Sequence, residues 1–254
     1  NYVGFMRYAA KFYSYFGNYT SSKKKFFPSI SLEDFEKILG VSTKFKDFSS
    51  IWEIIKYIIY DNSENVMNIN LEEKNGKNSY YFGGIKEEQI KKIDKVLKMK
   101  KISLLNTRLF MLNPSKIVVL IGSIEEKQEV LDNENNEIIL LYGEYSFFLK
   151  KMKEYLEDAK KYTSKDQEKE IINDYINFFN TGDIEEHQKS QEKWVKENAS
   201  SIDFNFGWLE TILDPIGVRG LFEGFVGLAD NFGSQKYEQF VKMIPQLISE
   251  LPWD

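Results

Sequence analysis

The sequence has no cysteine and only one histidine, His187, among its 254 residues. The first absence excludes disulfide scaffolds, thiolate metal sites and cysteine nucleophiles. The second excludes a histidine-rich metal centre built by this chain alone and leaves one imidazole for general-base work. Long apolar runs are also missing. None approaches the roughly 20 residues that span a bilayer, and Asn1 to Arg7 lack a charged-then-apolar secretory pattern. Nor is there a dominant charge: 34 Lys and Arg face 39 Asp and Glu, a formal net charge of -5 spread along the whole length. These absences predict a soluble, cytoplasmic protein without nucleic-acid or membrane partners. The chain opens on Asn1 rather than Met, which suggests a fragment or a processed product.

What is present is apolar content of 42%, enough for the core of one large domain or two small ones. Phe5, Tyr8, Ala9, Phe12, Tyr13 and Phe16 recur at helical spacing and predict a helix with an aromatic face, ended by Gly17-Asn18. Further helices are expected over 31–39, over 50–60 with Ser50 and Glu53 spaced as a capping box, and over 86–100 with Ile90, Ile93 and Leu97 inward. The polar stretch 61–79 reads as a long connection and the one candidate for local disorder. Apolar runs at 102–111, 116–124 and 137–145, parted by Asn-Pro and by a polar turn at 132–136, read as antiparallel strands. Helical periodicity returns at 146–162, at 164–180 with Ser164 and Gln167 as a second capping box, and at 183–198. The order predicts an α+β fold, mostly helical, with a small antiparallel β-sheet or barrel.

In the segment 202–208, Ile202, Phe204, Phe206 and Trp208 alternate with Asp203, Asn205 and Gly207. A strand sorts the two sets onto opposite faces, with same-face neighbours about 7 Å apart. The apolar face packs on a core. The other offers a carboxylate, an amide and a bare backbone step, a face on which an extended peptide can dock and where a carboxylate can hold a free amino terminus. The same alternation also describes a half-buried strand whose polar side meets water.

Asp214-Pro215-Ile216-Gly217 follows as a tight turn, and Leu221, Phe225, Leu228, Ala229 and Phe232 have the spacing of a helix stripe. Gly220, Gly224 and Gly227 are costly there, at roughly 1 kcal/mol each against alanine, and imply close approach of another backbone. Arg219 is placed to pair with Asp214 or Glu223, either locking the turn or serving chemistry. His187, beside Glu185, Glu186 and Lys189, reads as a solvated helix residue, and Lys23-Lys24-Lys25 as a solvated loop. Gly83-Gly84 lacks the spacing and the lysine of a phosphate-binding loop.

Asp214-Pro215, Gly217, Arg219-Gly220 and Phe222-Glu223-Gly224-Phe225-Val226 together resemble the dipeptidyl peptidase III family of zinc exopeptidases. Collinear stretches agree: Gly17-Asn18-Tyr19, Lys25-Phe26 with Pro28, Asn106-Thr107-Arg108-Leu109-Phe110, Tyr142-Gly143-Glu144-Tyr145 and Leu251-Pro252-Trp253. The similarity covers nearly the whole chain. It implies that residues 1–254 form the lower, substrate-binding lobe of a two-lobed enzyme that releases dipeptides from peptide N-termini. The family's zinc sits on a His-Glu-Leu-Leu-Gly-His helix and a later Glu-Glu-x-x-x-Glu segment. Neither occurs in this sequence. The resemblance therefore implies zinc in the full-length family but none bound here, no catalytic residue in this chain, and two partners: short peptides with a free N-terminus, and the missing catalytic lobe. Asp203 matches the family's amine-anchoring acid, with a shorter side chain. Asn205 stands where the family has a tyrosine that assists the reacting carbonyl. Gly207 completes the peptide face, and Glu210, Asp214, Arg219 and Glu223 form its supporting turn and helix. The rival expectation is a non-catalytic peptide-binding or interaction protein derived from that family.

Overall fold

The computed structural model of the chain describes residues 1–133, 136–163, 165–196 and 202–252. The second proposed capping box and the end of the Leu251-Pro252-Trp253 match fall on Ser164 and Trp253, outside the described residues.

The N-terminal part is helical: α1 (Tyr2–Tyr15), α2 (Leu32–Gly40) and α3 (Phe45–Tyr60). Tyr8, Phe26, Phe35 and Trp52 form its core, with Phe35 and Trp52 stacked at 5.0 Å. Ser31 caps α2 by accepting the Asp34 N–H at 3.1 Å. The helix expected from Ser50 starts five residues earlier, at Phe45, so Ser50 lies inside α3 and caps nothing. The stretch 61–79 is tied down by its backbone: Lys25 N–H donates to Met67 O at 2.9 Å and Asn70 N–H to Lys77 O at 3.1 Å. It also buries Leu71.

The central sheet has five strands: β1 (Tyr81–Phe82), β2 (Thr107–Asn113), β3 (Lys116–Gly122), β4 (Gln128–Asn133) and β5 (Asn136–Glu144), in the order β1-β2-β3-β5-β4. The fold is α+β, as expected, but the sheet is mixed and open rather than antiparallel or barrel-like. β1 runs parallel to β2 and β3 parallel to β5, while β2–β3 and β4–β5 are antiparallel. The reason is β4, a polar strand, Gln128-Glu129-Val130, that the apolar-run reading passes over. By pairing with β5 at the sheet edge, it lets β5 return beside β3 in the same direction. Helix α4 (Glu87–Met99) packs Ile90, Ile93 and Leu97 against Leu109, Ile117, Val119, Ile138 and Leu140 of the sheet.

A second core joins α5 (Ser146–Ala159), α6 (Asp166–Thr181) and α7 (Ile184–Lys196) to a two-stranded antiparallel hairpin, β6 (Ile202–Glu210) with β7 (Leu221–Leu228). The helix expected from Leu221 is therefore a strand. Its glycines decide the matter: a Cβ on Gly220 would lie 2.7 Å from the Trp208 backbone, and one on Gly224 would lie 2.5 Å from the Phe206 ring. The close approach read from these glycines is real, and it is made across the hairpin. Helix α8 (Asn231–Ser249) follows, and none of its described side chains is buried.

Candidate functional site

β6 sorts its residues as the alternation demands. Phe204, Phe206 and Trp208 pack on the second core, where Tyr175 meets Phe204 at 5.5 Å and Phe206 at 5.8 Å. Asp203, Asn205 and Gly207 share the opposite face. That face is roofed by α7 rather than open to a groove. Trp194 Nε1 donates to Asp203 Oδ1. Asn205 Oδ1 accepts from the Tyr175 hydroxyl at 2.9 Å and from Gln191 Nε2 at 3.4 Å, and lies 3.4 Å from His187 Nε2. A Cβ on Gly207 would come within 3.2 Å of His187 Nε2, so a larger residue there would press the imidazole back by a few tenths of an ångström. The Phe206 N–H donates to the Tyr175 hydroxyl at 3.4 Å. Helices α6 and α7 thus supply side-chain partners to the strand edge that faces away from β7.

His187 is accordingly not solvated. It is 6% exposed, set between Tyr175 and Phe178 at ring distances of 5.5 and 5.1 Å. Burial pushes its pKa below the ordinary range, against a hydrogen bond to Asn205 that favours the proton. The signal for this burial was in the sequence: Ile184, His187, Gln191 and Trp194 recur at helical spacing along one side of α7.

The turn after β6 holds a buried polar cluster. Asp214 is fully buried and accepts the N–H groups of Ile216 at 3.0 Å, Val218 at 2.8 Å and Arg219 at 2.7 Å. Arg219, also fully buried, pairs with neither acid proposed for it. Its Nη2 lies 2.7 Å from Asp94 Oδ1 on α4, and its Nη1 donates to the Tyr81 hydroxyl at 2.9 Å. That hydroxyl in turn donates to Asp214 Oδ2 at 3.0 Å, so Tyr81 links the two charged partners. Burial raises the Tyr81 pKa, which keeps the hydroxyl protonated as a donor. Lys23, read as solvated, donates to Asp214 O at 2.6 Å, and Lys25 is buried with Nζ on Ile58 O and Asp61 O. Glu210 accepts the Ile212 N–H at 3.0 Å and Glu223 lies opposite Gly207 in the hairpin register, so both serve the turn and strand rather than Arg219. Asp94 and Tyr81 were missed, although an acid at a stripe position of α4, next to Ile93 and one turn from Ile90 and Leu97, is a recognisable sign of a buried partner.

Among the described residues, no group of three or more His, Asp or Glu side chains is placed to hold a metal ion. A single imidazole wedged between two rings does not fit such a centre. Among these residues no helix is long and apolar enough to cross a membrane.

The family model described as Peptidase family M49 matches residues 51–254, which include β6, the Asp214 turn and β7. The chain belongs to peptidase family M49. It is 30% identical over 256 residues to dipeptidyl peptidase 3 of Dictyostelium discoideum, covering 100% of this chain and 37% of the relative. To dipeptidyl peptidase 3 of Rattus norvegicus it is 28% identical over 277 residues, covering 99% of this chain and 37% of the relative. The Homo sapiens relative of the same name is 28% identical over 272 residues, again at 99% and 37%. The M49 chain thus spans little more than a third of the length of these relatives. Among solved structures, DPP III from Caldithrix abyssi aligns with a TM-score of 0.48 at 15% identity, over 87% of this chain and 39% of that one.

Proposed function

We propose that this chain is the substrate-binding part of a zinc-dependent dipeptidyl peptidase, the lower lobe that holds a peptide by its free amino terminus while residues outside this sequence carry the metal. The observation that supports it is the placement of Asp203 and Asn205 on one face of β6, inside the stretch matched by the M49 family. In this reading the Asp203 carboxylate takes the peptide ammonium in place of the Trp194 indole that it now accepts from. Asn205 orients the neighbouring peptide group, and the Asp214–Arg219 cluster fixes the turn that aims the strand. The zinc supplies the activated water. Among the described residues no group of carboxylates and imidazole is placed to hold it.

The test is Asp203→Ala in a protein spanning the full length of the relatives, assayed with a dipeptidyl reporter. A charge-assisted hydrogen bond contributes about 1.5–3 kcal/mol, so kcat/KM is expected to fall roughly 10- to 150-fold. Unchanged efficiency removes the anchor role.

A second reading, a non-catalytic peptide-binding protein, is favoured by one observation: Asn205 lies under α7 with its carbonyl oxygen already accepting from Tyr175 and Gln191, so its side chain is held by the chain's own helices rather than presented to a reacting carbonyl. Calorimetry with a peptide carrying first a free and then a blocked amino terminus separates the two. Binding that ignores the block supports the second reading over the first.

A further inference from the structure

The polar stretch 61–79 contains the only Asn-Gly pair of the sequence, Asn75-Gly76. A 3-10 turn, Glu72–Lys74, delivers the chain to it, with Asn75 at φ 52 and ψ 50. That left-handed conformation suits asparagine better than most residues that carry a side chain. The next position is buried and crowded: a Cβ on Gly76 would lie 2.7 Å from the Asn70 backbone nitrogen. The turn therefore asks for asparagine and then for glycine. This is also the dipeptide in which the backbone most easily attacks a side-chain amide, because glycine puts no side chain in the way of the closing ring.

Attack needs the Gly76 nitrogen, and the fold has engaged it. Gly76 N–H donates to Leu71 O and Asn75 N–H to Glu72 O, both at 3.1 Å. Asn70 N–H to Lys77 O and Lys77 N–H to Asn68 O, also at 3.1 Å, clamp the flanks. Leu71, at the root of the turn, is buried, and Glu73 Oε1 accepts the Glu87 N–H at 2.9 Å, which ties the turn to α4. Asn75 itself is exposed. Asn78 differs from it: Ser79 follows, its Oδ1 accepts the N–H groups of Tyr80 at 3.0 Å and Tyr81 at 2.7 Å, and its Nδ2 donates to Asn70 O at 3.0 Å.

We propose that Asn75 is a site of spontaneous deamidation, gated by opening of the 71–77 turn, whose isoaspartyl product keeps that turn from closing again. In the reaction the Gly76 nitrogen loses its proton to hydroxide and bonds to Asn75 Cγ, while the Cγ–Nδ2 bond breaks and ammonia leaves. Water then opens the cyclic imide at either carbonyl. Opening at the Asn75 main-chain carbonyl leaves a carboxylate there and routes the chain through Cγ, which adds a methylene to the backbone. The added length carries the Gly76 N–H away from Leu71 O, so the turn loses its register and Leu71 loses the loop that covers it.

The experiment ages the chain in mildly alkaline buffer beside a synthetic peptide of residues 68–80. Both are mapped by mass spectrometry after cleavage at glutamate, which releases 74–87 from the chain. Asn75 is expected to convert, mainly to isoaspartate, roughly tenfold or more slowly in the folded chain than in the peptide, with urea below the unfolding midpoint narrowing the gap. Asn78 stays intact over the same period. In the aged chain the Gly76 amide should exchange with deuterium roughly tenfold or more faster than in the fresh one. Asn75→Asp brings the new charge on an ordinary backbone and should leave that exchange slow. Equal rates in chain and peptide, another asparagine converting ahead of Asn75, no conversion in the chain even in that urea, or unchanged Gly76 exchange after ageing would each overturn the proposal.

Discussion

The two ends of the β6–β7 hairpin are built from similar residues and treated in opposite ways. At the turn end, Trp208 is 5% exposed, Asp214 and Arg219 are fully buried, and the N–H groups of Ile216, Val218 and Arg219 all donate to the Asp214 carboxylate. At the open end, Leu228 is 78% exposed, Val226 and Ile202 also face solvent, and the chain continues into α8, none of whose described side chains is buried. A hairpin is usually pinned where its strands enter it and loose at its turn. Here α4, β1 and the Lys23 loop converge on the turn, so order is imposed from the end remote from the strand entry. What a residue is worth therefore depends on which neighbours reach it, not on its hydrophobicity.

The largest expected break in that contrast is Arg219→Ala. It strands Asp94 in the interior and takes one of two partners from Tyr81, at a cost of about 3–5 kcal/mol in urea unfolding. An effect within ordinary surface range would mean that the cluster is dispensable. A middle-sized effect belongs to His187, midway along the roof of β6. Its folded pKa is depressed, so between the ordinary His value of about 6.5 and that lower value the unfolded chain binds a proton that the folded chain refuses. This contribution to stability is complete above the unfolded pKa and declines as pH falls from about 7.5 toward 5.5. His187→Phe should flatten that slope, followed as urea midpoints across the window, whereas an unaltered slope would place its origin in other groups. The smallest effect is at the open end: Leu228→Ser should change stability by less than about 0.5 kcal/mol, and a larger loss would show that the end is packed after all.

Much of this was readable beforehand. Alternation gave β6 and its two faces because period two is a local property, visible without neighbours. The α4 stripe and the aromatic face of α1 were readable for the same reason. The failures are all nonlocal. Leu221, Phe225 and Leu228 have helical spacing, yet Gly220 and Gly224 cost a helix more than that spacing returns, and the cross-strand Trp208 backbone and Phe206 ring require them as they are. β4 carries little apolar character and exists as an edge strand because β5 offers it a backbone. The partner of Arg219 could not be found by looking nearby, since Asp94 lies 125 residues away. Likewise the polar face of β6 was read correctly as a face, but what covers it is set by α7, which packs across it.

The separations in that buried cluster have a kinetic meaning. Its bonds join residues 125, 133, 138 and 191 positions apart, so closing it requires the N-terminal loop, α4, β1 and the turn to be assembled already. We expect the cluster to close late, because its loop-closure entropy is repaid only once those elements are in place; folding and unfolding rates of Arg219→Ala test this. Its bonds then act as a latch: removing one should accelerate unfolding and leave the refolding rate almost untouched, making the cluster a determinant of the chain's lifetime more than of how fast it reaches its native shape.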